Sequence, residues 1–338
     1  MKLRLSNYDK IIFDLDGVIT SELIYWYAAA LCAHDLLTSH EHYGVCGIDR
    51  EWLRKQYKEV YNTVLLGGRT VKAVKRLGVN TNWDLAYVVF CVSKYLNPEL
   101  DSLDAMHFQS VCMFIENIDL NAPELYDALS GLAEQSCGCS EGAFSRNGDF
   151  FHKEVCDCFD LWYNGSDEFS GLKVDENLLF DDNELSKMLM HLSNNGLILG
   201  IGTGRPKLEA DIPLENHGIL KYFNLDYTCY YDDVNRAEKE LNPKMPLAKP
   251  EPYVFVKAAL GKNSSDRDVL EKNYDKEKIG RVLVVGDAAS DILSAKAAGF
   301  DFLGVLTGVE GDGMREYFEK NNADYIFDTV LNFSECEV

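Results

Sequence analysis

Little in this chain of 338 residues is suited to a membrane. No apolar run approaches the roughly 20 residues of a spanning helix, and the opening Met1 to Lys10 lacks the apolar stretch of a secretory leader. Basic residues are also scarce. Lysine and arginine number 33 against 55 aspartates and glutamates, a formal net charge of -22, and a field of that sign repels phosphate backbones and anionic lipid surfaces. Nucleic acid and membrane are therefore not expected as partners. Cysteine is sparse at 10 residues, far below a disulfide scaffold, so free thiols in a reducing, cytoplasmic setting are expected. What remains is ordinary globular material: 46% hydrophobic and 26% charged residues exclude a disordered or collagen-like chain. The length suggests about two domains.

The first strong signal is Lys10-Ile11-Ile12-Phe13-Asp14-Leu15-Asp16-Gly17-Val18, an apolar run ending in two carboxylates and a glycine, as a buried parallel strand does when it stops at a site. From about residue 180 the pattern becomes regular. Leu185, Met188, Leu189 and Leu192 share a helical face, Gly196 is a stop, and Leu197 to Ile201 reads as a strand. The alternation continues with a helix from Pro252 to Leu260, a strand from Arg281 to Val285, a helix from Ser290 to Ala298 closed by Gly299, and a strand from Phe302 to Leu306. A last helix over Gly313 to Lys320 leads into Tyr325-Ile326-Phe327. Repeated βα units predict an α/β fold: an open, doubly wound parallel sheet with a ligand crevice at the carboxyl ends of its strands. Residues 21–178 break the rhythm with helical stretches such as Ile48 to Leu66 and Trp83 to Leu96, predicting an inserted, mostly helical domain within a core of residues 1–20 and 179–338. The return, Ser166 to Glu184, carries seven acids against Lys173 alone and reads as a solvated hinge.

Each polar cluster lies at a predicted strand end. An extended strand would send Asp14 and Asp16 to opposite sides, but a turn at Gly17 lets both approach one site. Ile201-Gly202-Thr203-Gly204-Arg205-Pro206 offers a hydroxyl and glycine-spaced N–H groups suited to a phosphate; the spacing is not that of a dinucleotide fingerprint. In Ala248-Lys249-Pro250-Glu251-Pro252 two prolines fix the backbone around a lysine, and Gly286-Asp287-Ala288-Ala289-Ser290-Asp291 brings two carboxylates to the start of a helix. Asp291 also suits simple helix capping.

Taken in order, these four blocks resemble the four motifs of the haloacid dehalogenase (HAD) superfamily, over roughly residues 8 to 20 and 180 to 330, and the long insert is similar to the cap of subfamily I. The resemblance implies that Asp14 is a nucleophile toward phosphorus and that Asp16 protonates the leaving oxygen and then activates water. It implies Mg²⁺ held by Asp14, the Asp16 carbonyl and Asp287, with Asp291 holding the ion's water shell or orienting Lys249. Thr203, Gly204, Arg205, Gly17 and Lys249 would serve the transferring phosphoryl group. A hard cation suits this chemistry because a carboxylate attacking a phosphate ester faces anion repulsion. The expected activity is hydrolysis of a small phosphorylated metabolite through an aspartyl-phosphate. A sugar-phosphate mutase and a catalytically silent binding protein are the alternatives, and a homodimer is compatible with either. The second aspartate disfavours the dehalogenase branch, which lacks it. A phosphonate-cleaving relative would need a Schiff-base lysine, and nothing singles out Lys55, Lys58, Lys72 or Lys75 for that role.

Within the insert, Gly67-Gly68-Arg69 could present a guanidinium to substrate. Tyr25, Trp26 and Tyr27 suit packing better than a leaving-group pocket. Cys137-Gly138-Cys139 and Cys156-Asp157-Cys158 are two pairs with a one-residue gap, too tight for the usual zinc knuckle and read mainly as incidental thiols. His40-Glu41-His42 with His34 lacks the spacing of a helical zinc site.

Overall fold

The computed structural model describes residues 3–44, 46–79, 81–101, 103–121 and 124–337. The chain divides into two compact units, one of Met1–Ser21 with Asn177–Val338 and the other of Glu22–Glu176. The first is a six-stranded sheet of β1 (Lys10–Phe13), β2 (Ile198–Gly202), β3 (Thr228–Cys229), β4 (Val282–Gly286), β5 (Asp301–Val305) and β6 (Tyr325–Phe327). Strand order is β3-β2-β1-β4-β5-β6, and every pairing is parallel. The α/β doubly wound expectation therefore holds.

Side-chain alternation along β1 explains the two layers. Ile11 and Phe13 face a core shared with Leu185, Met188, Leu189 and Leu192 of the helix Asp182–Asn194. Ile12 faces the opposite core, with Phe255 of Tyr253–Leu260, Ile292 and Ala295 of Ala289–Ala298, and Phe318 of Met314–Lys320. β1 is central, and both its faces are covered, so it can be apolar at every position until Asp14. The order reverses between β1 and β4, the kind of switch point at which open α/β sheets bind ligands.

Two local readings change. β3 has only two residues, too short for a periodic signal, and the helix Tyr231–Leu241 behind it was not foreseen. The acidic connector is less solvated than its composition suggests. Asp181 caps the following helix by accepting from the N–H groups of Asn183 and Glu184, Asp182 pairs with His217 at 2.9 Å, Asp175 pairs with Arg54, and Glu176 is buried. Asp175, Asp181 and Asp182 each find a cation or a free helix N–H, which composition alone does not reveal, while Asp167, Glu168 and Glu184 are exposed as expected.

The second unit is helical. Its longest helices, Leu23–Thr38 and Asn82–Leu96, are almost wholly buried, and the predicted stretch from Ile48 to Leu66 forms two helices, Arg50–Lys55 and Tyr57–Val64. Tyr25 stacks on Tyr163 with centroids 4.6 Å apart, and Tyr27 packs on Tyr57 and Tyr61. These aromatics therefore serve the unit's own interior. Among the described residues no helix is long and apolar enough to cross a membrane.

Candidate active site

β1 carries Asp14 to the carboxyl edge of the sheet, where its N–H donates to the Val285 carbonyl at 2.9 Å and its side chain is buried. β4 ends at the same edge and delivers Asp287, and the helix after it delivers Asp291, which is 1% exposed. One carboxylate oxygen from each of Asp14, Asp287 and Asp291 lies within 4.8 Å of the others. The Lys249 ammonium reaches two of the three, 2.9 Å from Asp14 Oδ1 and 2.8 Å from Asp291 Oδ1, and sits 4.7 Å above the Phe255 ring. Asp291 also caps its helix, Oδ2 accepting from the Ala288 N–H at 3.1 Å. Capping and orientation of Lys249 are thus joint roles of one side chain.

The electrostatics are lopsided. Burial pushes the Asp14 carboxyl up, Lys249 pulls it down, and Asp291 and Asp16 push it up further, to about 7. Lys249 is raised despite its own burial because Asp14 and Asp291 flank it. Three carboxylates and one ammonium leave a local excess of negative charge, which a second cation would relieve. All the offered donors are hard oxygens, the set that suits Mg²⁺. The residues present therefore fit that ion.

Glycines shape the cradle. Gly17 has φ of +71°, donates its N–H to the Thr20 carbonyl at 2.9 Å, and a Cβ there would lie 2.3 Å from Asp287 Oδ2. Gly308, just past β5, is tighter still, since its Cβ would lie 1.8 Å from the same oxygen. Thr307 beside it donates its hydroxyl to the Gly17 carbonyl at 2.5 Å. Sequence reasoning did not single out Thr307 and Gly308. The available signal was their place at a third strand end on this edge.

Thr203 is buried after β2, and its hydroxyl oxygen accepts from the Arg205 N–H at 3.3 Å; Gly204 is exposed, with open space where a Cβ would project. Arg205 is placed differently from the phosphate contact expected of it. Its guanidinium is buried and grips Asp16, with Nε 2.9 Å from both carboxylate oxygens and Nη2 on Oδ1, while Nη1 donates to the Glu209 carbonyl. The Thr20 hydroxyl adds a 3.2 Å bond to Asp16. Arg205 thus holds a catalytic candidate in place. In the helical unit, Arg69 forks onto Glu116 at 2.8 and 2.6 Å.

One family model and several solved structures are similar to this chain. Residues 246–333 match the HAD-hydrolase-like family model. The X-ray structure of a Northeast Structural Genomics Consortium target is similar over 97% of this chain and 97% of its own, at 27% identity and a TM-score of 0.81. A predicted phosphoglycolate phosphatase from Haemophilus somnus aligns over 97% of both chains at 15% identity and a TM-score of 0.43. A haloacid dehalogenase-like protein from Agrobacterium tumefaciens aligns over 97% of this chain and 96% of its own, at 14% identity and 0.43. No curated protein matches. The HAD-hydrolase-like match thus lies within the sheet unit, over the stretch that contains Lys249, Asp287 and Asp291.

Proposed function

We propose that this hydrolase is a Mg²⁺-dependent phosphomonoesterase that acts on a small phosphorylated metabolite through an aspartyl-phosphate, with residues 21–178 as its cap. The observation that carries the reading is the buried Asp14 carboxylate at the end of the central strand, 2.9 Å from Lys249 and within 4.8 Å of two further carboxylates. Asp14 Oδ would attack phosphorus in line, forming one P–O bond as the ester P–O bond breaks. The departing oxygen takes its proton from Asp16. In the second half Asp16 accepts a proton from water, whose oxygen attacks phosphorus and returns Asp14 and inorganic phosphate. General acid–base help of this kind is commonly worth about 10² to 10⁴-fold. Lys249, the Thr203 hydroxyl and the backbone at Gly204 supply fixed dipoles and charge to the transferring group, a preorganised effect of a few kcal/mol per donor.

Mg²⁺, held by Asp14, Asp287 and Asp291 with the Asp16 carbonyl, would supply charge neutralisation and a clamp on phosphate oxygens. The described cysteines are all free thiols, in keeping with a reducing, cytoplasmic setting. The test is turnover of p-nitrophenyl phosphate with Mg²⁺ and with chelator, beside Asp14→Asn. Metal-dependent phosphate release that disappears in the variant is expected, and equal rates in variant and parent would refute the nucleophile. A sugar-phosphate panel scored for free phosphate and isomerised product separates hydrolysis from the mutase alternative.

A further inference from the structure

The helical unit gathers a second set of ligand-type side chains, from three separate segments. Asp35 lies on the helix Leu23–Thr38, His42 in the loop after it, and Cys158 on the helix Asp157–Asn164. One oxygen, one ring nitrogen and the sulfur of this trio lie within 4.8 Å of one another.

Asp35 is fully buried and its two oxygens are treated unequally. Oδ2 accepts from Arg50 Nε at 3.1 Å and from Trp162 Nε1 at 3.0 Å. Oδ1 is buried with no hydrogen-bond partner; His42 Nε2 lies 4.0 Å away, at the limit of an ion pair but too far for a hydrogen bond. A buried carboxylate oxygen left in this state is costly, and such an orphan calls for an explanation.

The His42 ring is oriented from behind. Its Nδ1 lies 2.7 Å from Glu154 Oε2, which directs Nε2 toward Asp35 Oδ1 and Cys158. A carboxylate on the outer ring nitrogen is the arrangement that fixes the tautomer and aim of metal-bound histidines. An imidazole, a thiol and a carboxylate form a mixed N, S and O set, which favours a borderline ion such as Zn²⁺ over Mg²⁺ or Ca²⁺. The charges nearby are shared out: Arg50 bonds Glu41 at 2.7 Å as well as Asp35, and Glu154 faces the His42 ring.

We infer that Asp35 Oδ1, His42 Nε2 and Cys158 Sγ form a binding site for a Zn²⁺-class divalent cation inside the helical unit, with Glu154 as the residue that positions His42. Neither reading made on the sequence found it. The cysteine pairs and the His40-Glu41-His42 run each contribute one ligand, and the third, Asp35, belongs to no motif. Bound at this point, the ion would tie the first long helix and the loop after it to the segment of residues 150–164.

The test uses the full chain, stripped with chelator and returned to excess Mg²⁺ so that the carboxylate site of the sheet unit is occupied. Titration with Co²⁺ should show one equivalent bound with a thiolate-to-cobalt charge-transfer absorption, displaced by Zn²⁺. Cys158→Ser should remove that absorption, and Asp14→Asn should leave it unchanged. Glu154→Gln, which retains the ligands, should weaken binding by about 10 to 100-fold at unchanged circular dichroism, the usual effect of losing a supporting partner; it carries the test if Cys158→Ser does not fold. Failure to bind Co²⁺, an absorption that survives Cys158→Ser, or unchanged affinity in Glu154→Gln would each overturn the site. The hydrolytic reading is untouched by these outcomes, since it is read from turnover and Asp14.

Discussion

Replacing Asp14 with asparagine should abolish turnover and, in the absence of divalent metal, make the protein more stable. Burial, with Asp291 and Asp16 nearby, pushes the carboxyl from its ordinary 3.8 up to about 7 against the pull of Lys249. A folded-state value raised above the unfolded one means that the native form disfavours the ionised acid. The resulting penalty is absent well below 3.8, grows as pH rises, and levels off above 7. With about 1.36 kcal/mol per pH unit, the penalty is about 2 kcal/mol near pH 5 and on the order of 4 kcal/mol near pH 8. Asparagine mimics the uncharged acid and keeps an oxygen for Lys249, so its advantage should widen by about 2 to 3 kcal/mol across that interval. Urea unfolding of both proteins in chelator at the two pH values measures this, and Mg²⁺ should stabilise the parent more than the variant. A variant less stable than the parent at the higher pH, or an advantage that shrinks as pH rises, would refute the account of excess buried negative charge.

Other expectations follow from single contacts. Gly308→Ala places a Cβ 1.8 Å from Asp287 Oδ2, so the Mg²⁺ concentration for half-maximal turnover should rise by about 10-fold or more while thermal unfolding remains cooperative. Arg205→Met frees Asp16 and should lower kcat by about 10², more for an alkyl phosphate than for p-nitrophenyl phosphate, whose leaving group needs less protonation; equal losses would argue against a role through Asp16. Burial pushes Asp266 up, but Lys257 at 2.6 Å, Tyr253 at 2.8 Å and Arg236 outweigh it and hold its carboxyl below the usual range. Its stabilisation is therefore complete above 3.8 and is lost as pH falls through the lower folded value. Asp266→Asn strands the buried Lys257 and should cost about 3 kcal/mol near neutrality, with a flatter acid limb in urea unfolding.

The sheet was legible because β1, β2, β4 and β5 are buried on both faces and their residues carry no conflicting signal. β3 has no period to read in two residues, and the side-chain pattern from Ile48 to Leu66 marks a helical stretch without revealing the break at Gln56. Strand ends could be ordered from the sequence, but the partner each charge takes could not. Arg205 reads as a phosphate ligand in its Gly-Thr-Gly-Arg setting, and only the fold brings it to Asp16, 189 positions away. Asp35 stands alone as an acid on an apolar helix, and its burial beside His42 and Cys158 is a tertiary fact.

The Leu179 N–H donates to the Ile19 carbonyl at 2.9 Å, and Thr20 bridges Leu178. The points where the chain leaves the sheet unit and rejoins it are therefore bonded to each other, with Val18 and Ile19 sealed in the apolar interior beside them. Between these neighbours an excursion of any length closes the same small gap, and closure entropy grows only with the logarithm of its size. That doorway decouples the two lengths of chain: residues could be added to or removed from the helical module without changing the gap its ends must close, and the sheet edge would keep its register.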